Sequence, residues 1–217
     1  MWFSLPRFTQ VSMLLLLTLT LVISLNFATV QAAYLPNTTN KWIDTDHTIS
    51  ALFLEGTHAD LRPDGSVSSG VIAQTSVFWI SRDHSLSAPF KAGTPVKFRE
   101  DGSASFGVLA QPTDLWINVE HNVYALFKAG PAVNFRDNGS VSSGVLAKPT
   151  ALWINTAHSS STVFKEGKEI KFREDGSVAS GVIAQDTSFW TNKLHSASVL
   201  MKAGAFVKIA EDGGILQ

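Results

Sequence analysis

Residues 116–152 read WINVEHNVYALFKAGPAVNFRDNGSVSSGVLAKPTAL, and lightly varied copies of this text lie on both sides of it. Trp42, Trp79, Trp116, Trp153 and Trp190 recur at a constant interval of 37 residues, and a histidine follows each by five positions, at His47, His84, His121, His158 and His195. A fixed period of this length marks solenoids, propellers and other arrays, in which one small unit buries its apolar surface against its neighbours. The units start at 42, 79, 116, 153 and 190, in a single five-repeat domain expected over residues 33–217.

The glycines punctuate the unit. One set, Gly56, Gly93, Gly130, Gly167 and Gly204, reads as a tight turn after Phe or a related apolar residue. A second, Gly65, Gly102, Gly139, Gly176 and Gly213, follows Asp, or Asn in the case of Asn138. Asp-Gly or Asn-Gly between apolar runs predicts a two-residue type I′ hairpin, in which Phe98 would pair with Ser105 and Val96 with Gly107. A third set, Gly70, Gly107, Gly144 and Gly181, falls inside a strand pattern and predicts a bulge or the close approach of a neighbouring sheet. Four short strands per unit follow, in the third unit near residues 123–128, 132–136, 140–147 and 151–155. They are rich in Val, Phe, Ile and Trp and hold no helical period.

Bulk composition excludes several classes. The net charge is −1 and no like-charged run occurs, whereas nucleic acid or an anionic membrane surface needs a concentrated basic face. There is no cysteine, hence no disulfide framework and no thiolate site. Residues 1–32 differ from the rest. Arg7 precedes an apolar run over Met13–Leu25, and Val30 and Ala32 place small residues where signal peptidase requires them. A signal peptide cut after Ala32 is expected, with the mature protein exported (secreted, periplasmic or cell-surface) and not stably inserted in a membrane.

These observations predict an all-β fold of five four-stranded repeats. Gln217 aligns with Ser180, so the fifth unit lacks the nine residues that precede a tryptophan, and Ala33–Lys41 could supply them. That permuted frame favours a five-bladed β-propeller closed by its N-terminal strand, which would remove exposed sheet edges. The alternative is an open antiparallel hairpin array or solenoid. The segment FREDGSVASGVIA (172–184) resembles the G-turn hairpin repeats of secreted bacterial proteins and, loosely, the MORN type. The five-fold plan is similar to that of tachylectin-like propeller lectins, a resemblance that implies sugar binding.

The Trp-x4-His pair carries two readings. Flanked by apolar residues, as in Leu115-Trp116-Ile117, the tryptophan reads as core filling and the histidine as a loop tie. Alternatively Trp116, Trp153 and their equivalents, the five histidines, and the polar residue two after each tryptophan (Asp44, Ser81, Asn118, Asn155, Asn192) form a ring of sugar-binding sites. One histidine per 37 residues has no zinc-site spacing, so neither metal nor cofactor is expected. The recurring Arg99, Arg136 and Arg173 read as solvated strand ends, each with a weak local ion pair. Catalysis needs unlike groups in unlike surroundings, which near-identical units do not provide. The chain reads as a non-enzymatic, multivalent glycan or cell-envelope binder, with a structural envelope scaffold as the alternative and a hydrolase behind both. Mass spectrometry of the exported protein should therefore find Ala33 at its N-terminus, and a protein retaining Met1 would refute the cleavage.

Overall fold

The computed structural model describes residues 31–216; the apolar segment expected as a signal peptide lies outside them, except for its last two residues. The chain opens with β1 (Gln31–Leu35) and then alternates two kinds of hairpin. In the first unit these are β2 (Thr39–Trp42) with β3 (Ser50–Phe53), then β4 (Thr57–Leu61) with β5 (Val67–Val71). The second repeats this as β6 (Ser76–Trp79), β7 (Ser87–Phe90), β8 (Pro95–Phe98) and β9 (Ala104–Val108). The third has β10 (Thr113–Trp116), β11 (Tyr124–Phe127), β12 (Ala132–Phe135) and β13 (Val141–Val145). The fourth has β14 (Thr150–Trp153), β15 (Ser161–Phe164), β16 (Glu169–Phe172) and β17 (Val178–Val182). The fifth has β18 (Thr187–Trp190), β19 (Ser198–Met201) and β20 (Phe206–Lys208).

The second hairpins of the first four units, with β1 and β20, form one antiparallel sheet of ten strands, in the order β1-β4-β5-β8-β9-β12-β13-β16-β17-β20. The first hairpins, β2-β3, β6-β7, β10-β11, β14-β15 and β18-β19, remain two-stranded. Strands β1 and β20 are the two edges of the large sheet, and no closed ring is found among the described residues. The N-terminal segment does not complete the fifth unit: β1 pairs with β4 and β2 with β3, both in the first. The frame that favoured a propeller is equally that of an array beginning part-way through a unit.

Each Asp-Gly turn departs from the two-residue form. Only the glycine has positive φ (Gly102, 82°), and its amide donates to the Arg99 carbonyl three residues back. A type I turn followed by a left-handed residue puts a bulge in the hairpin. The register shifts between Lys97 and Phe98, so Phe98 faces Ala104 and not Ser105. The shift recurs in the equivalent hairpins of the first, third and fourth units.

The large sheet has one apolar and one polar face. On β8 and β16 exposed and buried residues alternate. The outer face carries a cross-strand row from Asp60 through Ser69, Lys97, Phe106, Asn134, Ser143, Lys171 and Ser180 to Lys208. The inner face meets the small hairpins in one continuous buried cluster. Phe53, Phe90, Phe127 and Phe164, at the ends of β3, β7, β11 and β15, are among its most deeply buried side chains. Each ring lies on a glycine: a Cβ added to Gly107 would stand 2.4 Å from the Phe90 ring, and Gly70, Gly144 and Gly181 are similarly covered. Phe90 also meets Phe135 of the next unit edge-on, with centroids 6.1 Å apart.

A second contact ties unit to unit. Arg99 is 9 % exposed, not solvated. Its Nη1 donates to the carbonyls of Ile80 and Ala104, and its Nη2 to the carbonyl of Phe135 in the following unit (2.8 Å). Arg62, Arg136 and Arg173 reach Phe98, Phe172 and Ile209 in the same way. Burial lowers the Arg99 pKa, and Asp137, whose carboxylate accepts from Nε at 2.9 Å, acts against it. Gly107→Ala should cost about 1–3 kcal/mol by overpacking beneath Phe90. Arg99→Met should cost ~3 kcal/mol through unpaired carbonyls, whereas Lys171→Met on the outer face should stay within about 0.5 kcal/mol. Urea unfolding of the three variants checks this ranking.

Candidate functional site

The loop that closes each small hairpin builds the site. In β2-β3 the chain turns over residues 43–49, and Ile43 donates its amide to the Ile49 carbonyl. The buried Asp44 carboxylate accepts from the amides of Thr48 and Ile49 and from the Thr48 hydroxyl. Ser81, Asn118 and Asn155 cap the same two amides in their loops, and Asn192 caps that of Ser196. The polar residue two after each tryptophan thus spends its acceptor on the loop, and the first four are buried. The Asn118 and Asn155 amide nitrogens are also bonded, to Glu120 and Asn122 and to Ser159. Within the unbound protein these side chains hold the loop.

Each histidine stands at the left-handed position of its loop. His47, His84, His121, His158 and His195 have φ between 50° and 56°, and no other non-glycine residue described has positive φ. The backbone bond matches that of the Asp-Gly turns: the His84 amide donates to the Ser81 carbonyl three residues back. Glycine would occupy this conformation without strain. Histidine is strained there in all five units, which directs attention to its side chain.

The imidazole lies between the tryptophan and the Asp-Gly turn of its own unit. All five Trp–His pairs are stacked; Trp79 and His84 are 5.8 Å apart at 7°, and Trp190 and His195 5.2 Å apart at 8°. On its other side, His84 Nε2 lies 3.0 Å from the Asp101 carbonyl. His47, His158 and His195 lie 3.5–3.8 Å from the carboxylates of Asp64, Asp175 and Asp212. In the third unit the turn carries Asn138, and the His121 Nε2 is buried without a hydrogen-bond partner. The sequence reading missed these turn aspartates, although they lie at a constant 17 residues beyond the histidines.

The tryptophans are not core. Trp42 is 44 % exposed, and Trp79, Trp153 and Trp190 are exposed to a similar extent. Trp116 is half-buried, with exposed Tyr124 edge-on to it at 5.7 Å. The core positions belong instead to the residues on either side, such as Leu115 and Ile117. An open groove of about 470 Å³ beside Trp42 is lined by Asn40, Lys41, His47, Ser50, Asp64 and Gly65. A second groove, of about 300 Å³, lies between the fourth and fifth units and is lined by Ser160 and Ser161 together with Trp190, Asp212 and Gly213. Among the described residues no three His, Asp or Glu side chains converge as a metal site would require.

No protein-family model, curated protein or solved structure matches this chain.

Burial pushes the Asp44 carboxyl pKa up, but the Thr48 hydroxyl and the Ile49 and Thr48 amides outweigh it and hold the group below the ordinary carboxylate range. Burial is likewise outweighed at Asp137, by Arg82 and Arg99. A carboxylate whose folded pKa is depressed adds stability above its unfolded pKa of about 3.9, and this is lost as pH falls through the folded value. The urea midpoint should hold between pH 7 and about pH 5 and drop below about pH 4. Asp44→Asn, which copies the caps of the third and fourth units, should keep the fold and soften the acid decline.

Proposed function

We propose that the chain is an exported, multivalent binding module whose ligand is an extended carbohydrate lying along the row of Trp–His pairs. The observation that carries this reading is the placement of the indoles. Each unit presents a tryptophan at the surface, backed by an imidazole and held by a strained loop. A half-exposed aromatic plane beside carboxylates, hydroxyls and amides suits a sugar, whose ring has an apolar face and a hydroxylated rim.

The geometry of the array supports an extended ligand. Every unit adds two strands to the large sheet, so equivalent residues advance by about 9.5 Å per unit at the usual strand spacing. That is comparable to the length of a disaccharide in an extended β-linked chain, so successive disaccharides would meet equivalent sites. Each site is shallow and weak alone, and several on one chain gain by avidity. Asp64, Ser50 and Asn40 in the first groove are placed to meet hydroxyls.

Co-sedimentation with insoluble polysaccharides, together with a glycan array, tests the reading. Trp42→Ala, Trp79→Ala and Trp153→Ala should each leave the melting temperature within a few degrees, because the indole is largely outside the core. Combined, they should weaken binding far more than any one alone. His84→Gly should hold or raise stability by relieving backbone strain while weakening binding at its unit. Binding unchanged in the triple tryptophan variant, or no glycan bound by the native protein, would refute the proposal.

A further inference from the structure

The interior junctions are all alike. The loop of one small hairpin receives the Asp-Gly turn of the next unit. Thr45, Arg82, Val119 and Thr156 donate their amides to the carbonyls of Glu100, Asp137, Glu174 and Glu211. Gly102, Gly139, Gly176 and Gly213 pack against the capping residues Asp44, Ser81, Asn118 and Asn155; a Cβ on Gly176 would stand 2.9 Å from that of Asn118. Beside this contact, the second residue of each returning strand is covered. Ala51, Ala88, Ala125 and Thr162 are at most 6 % exposed.

At the two ends of the array the halves of this junction stand unpaired among the described residues. In the fifth unit the loop over 191–197 has no turn upon it. Asn192 and Ala197 are exposed, and Val199, the equivalent of Ala125 and Thr162, is 38 % exposed beside the exposed Leu200. In the first unit the Asp-Gly turn has no loop beneath it: a Cβ on Gly65 would meet nothing within 4 Å. The Pro63 carbonyl occupies the acceptor position of Glu100. One face is the complement of the other.

We propose that copies of this chain join head to tail, the turn over Arg62–Ser66 of one molecule seating on the loop over residues 191–197 of the next, and the first molecule's β2, which starts at Thr39, covering Val199 as β18 meets Thr162 through the Thr162–Thr187 hydroxyl pair. The partner is a second copy because it carries, at its first unit, the surface that every interior loop already receives. The contact is heterologous and prolongs a sheet that is itself open, so assemblies extend past the dimer. Where cleavage falls after Ala32, the large sheet can run on as well. Ala33–Leu35 of β1 occupy the frame positions of Gly181–Ile183, beyond those of Ile215 and Leu216, so the two segments share a strand position without overlap. One interior feature is missing: Ala210 stands where Arg62, Arg99, Arg136 and Arg173 bridge to the next unit. The junction is therefore weaker than an internal one and reversible. This inference is independent of the carbohydrate reading.

Sedimentation velocity of the full chain, recovered in its processed form after export, tests it over a range of concentrations. The expected result is a ladder of species that grows past the dimer as concentration rises. Val199→Lys alters a residue already exposed in the single molecule, so its melting temperature at high dilution should match the native one. It should block growth through the C-terminal face. Because it retains the N-terminal face, a small proportion of Val199→Lys chains should also cap native assemblies and shorten them. A monomer at every concentration, a dimer that grows no further, or assemblies indifferent to the variant would each overturn the proposal.

Discussion

Two β-layers can approach as closely as they do here only because a glycine lies beneath each phenylalanine at the end of a small hairpin. The ring of Phe90 covers Gly107, as Phe53, Phe127 and Phe164 cover Gly70, Gly144 and Gly181. Any side chain at the glycine would lift the hairpin from the sheet and uncover the apolar residues around it. The glycine weakens its strand by itself, having no side chain to pack, and the aromatic ring restores that packing from the opposite layer. The rings of Phe53, Phe90 and Phe127 also reach edge-on to phenylalanines of the large sheet in the following unit. One contact thus fixes the layer spacing and begins the coupling between units.

The arginines complete that coupling. A bulged turn leaves carbonyls without ladder partners, and in the first four units a buried or half-buried guanidinium collects several of them. Arg99 binds its own hairpin through Ala104, the preceding loop through Ile80 and the next unit through Phe135. A planar group with five donors suits that task as an ammonium would not. The stability of the array depends on these nearest-neighbour contacts, and the first and fifth units differ where, among the described residues, one neighbour is lacking. Ala210 replaces the arginine there, and residues that are buried elsewhere come to the surface.

The loops show how a repeat rebuilds one side-chain arrangement in every unit. A capping side chain fixes the backbone, the histidine accepts a left-handed conformation, and the imidazole is held between an indole and a turn. Because the Trp-His-turn arrangement is rebuilt in each unit, with Asn138 in place of the aspartate in the third, the chain presents a row of similar surface features. The strain is local to the loop and is opposed by bonds on both sides of it. Five histidines stand in one unfavourable conformation, where glycine would be relaxed and where every Asp-Gly turn does use glycine.

Much was legible in the sequence. The 37-residue period, the all-β character and the strand positions follow from spacing and residue type, because alternation and turn residues act locally. The strand at Val141–Val145, for example, lies within the run expected from its Val and Gly pattern. Gly107 was legible as a point of close approach, but not what approached it. Three features were decided by tertiary structure alone. Whether five units close or stay open depends on which edge the N-terminal strand meets, and the frame of a repeat is the same in both cases. Trp116 and Leu115 are adjacent and apolar, and only the pairing of β10 with β11 and its packing on the large sheet determine which of them faces inward. The arginines read as surface charges because their partners are backbone carbonyls, which leave no mark in the sequence: Arg99 meets Phe135 at a distance of 36 residues, through a bond to a group that every amino acid carries.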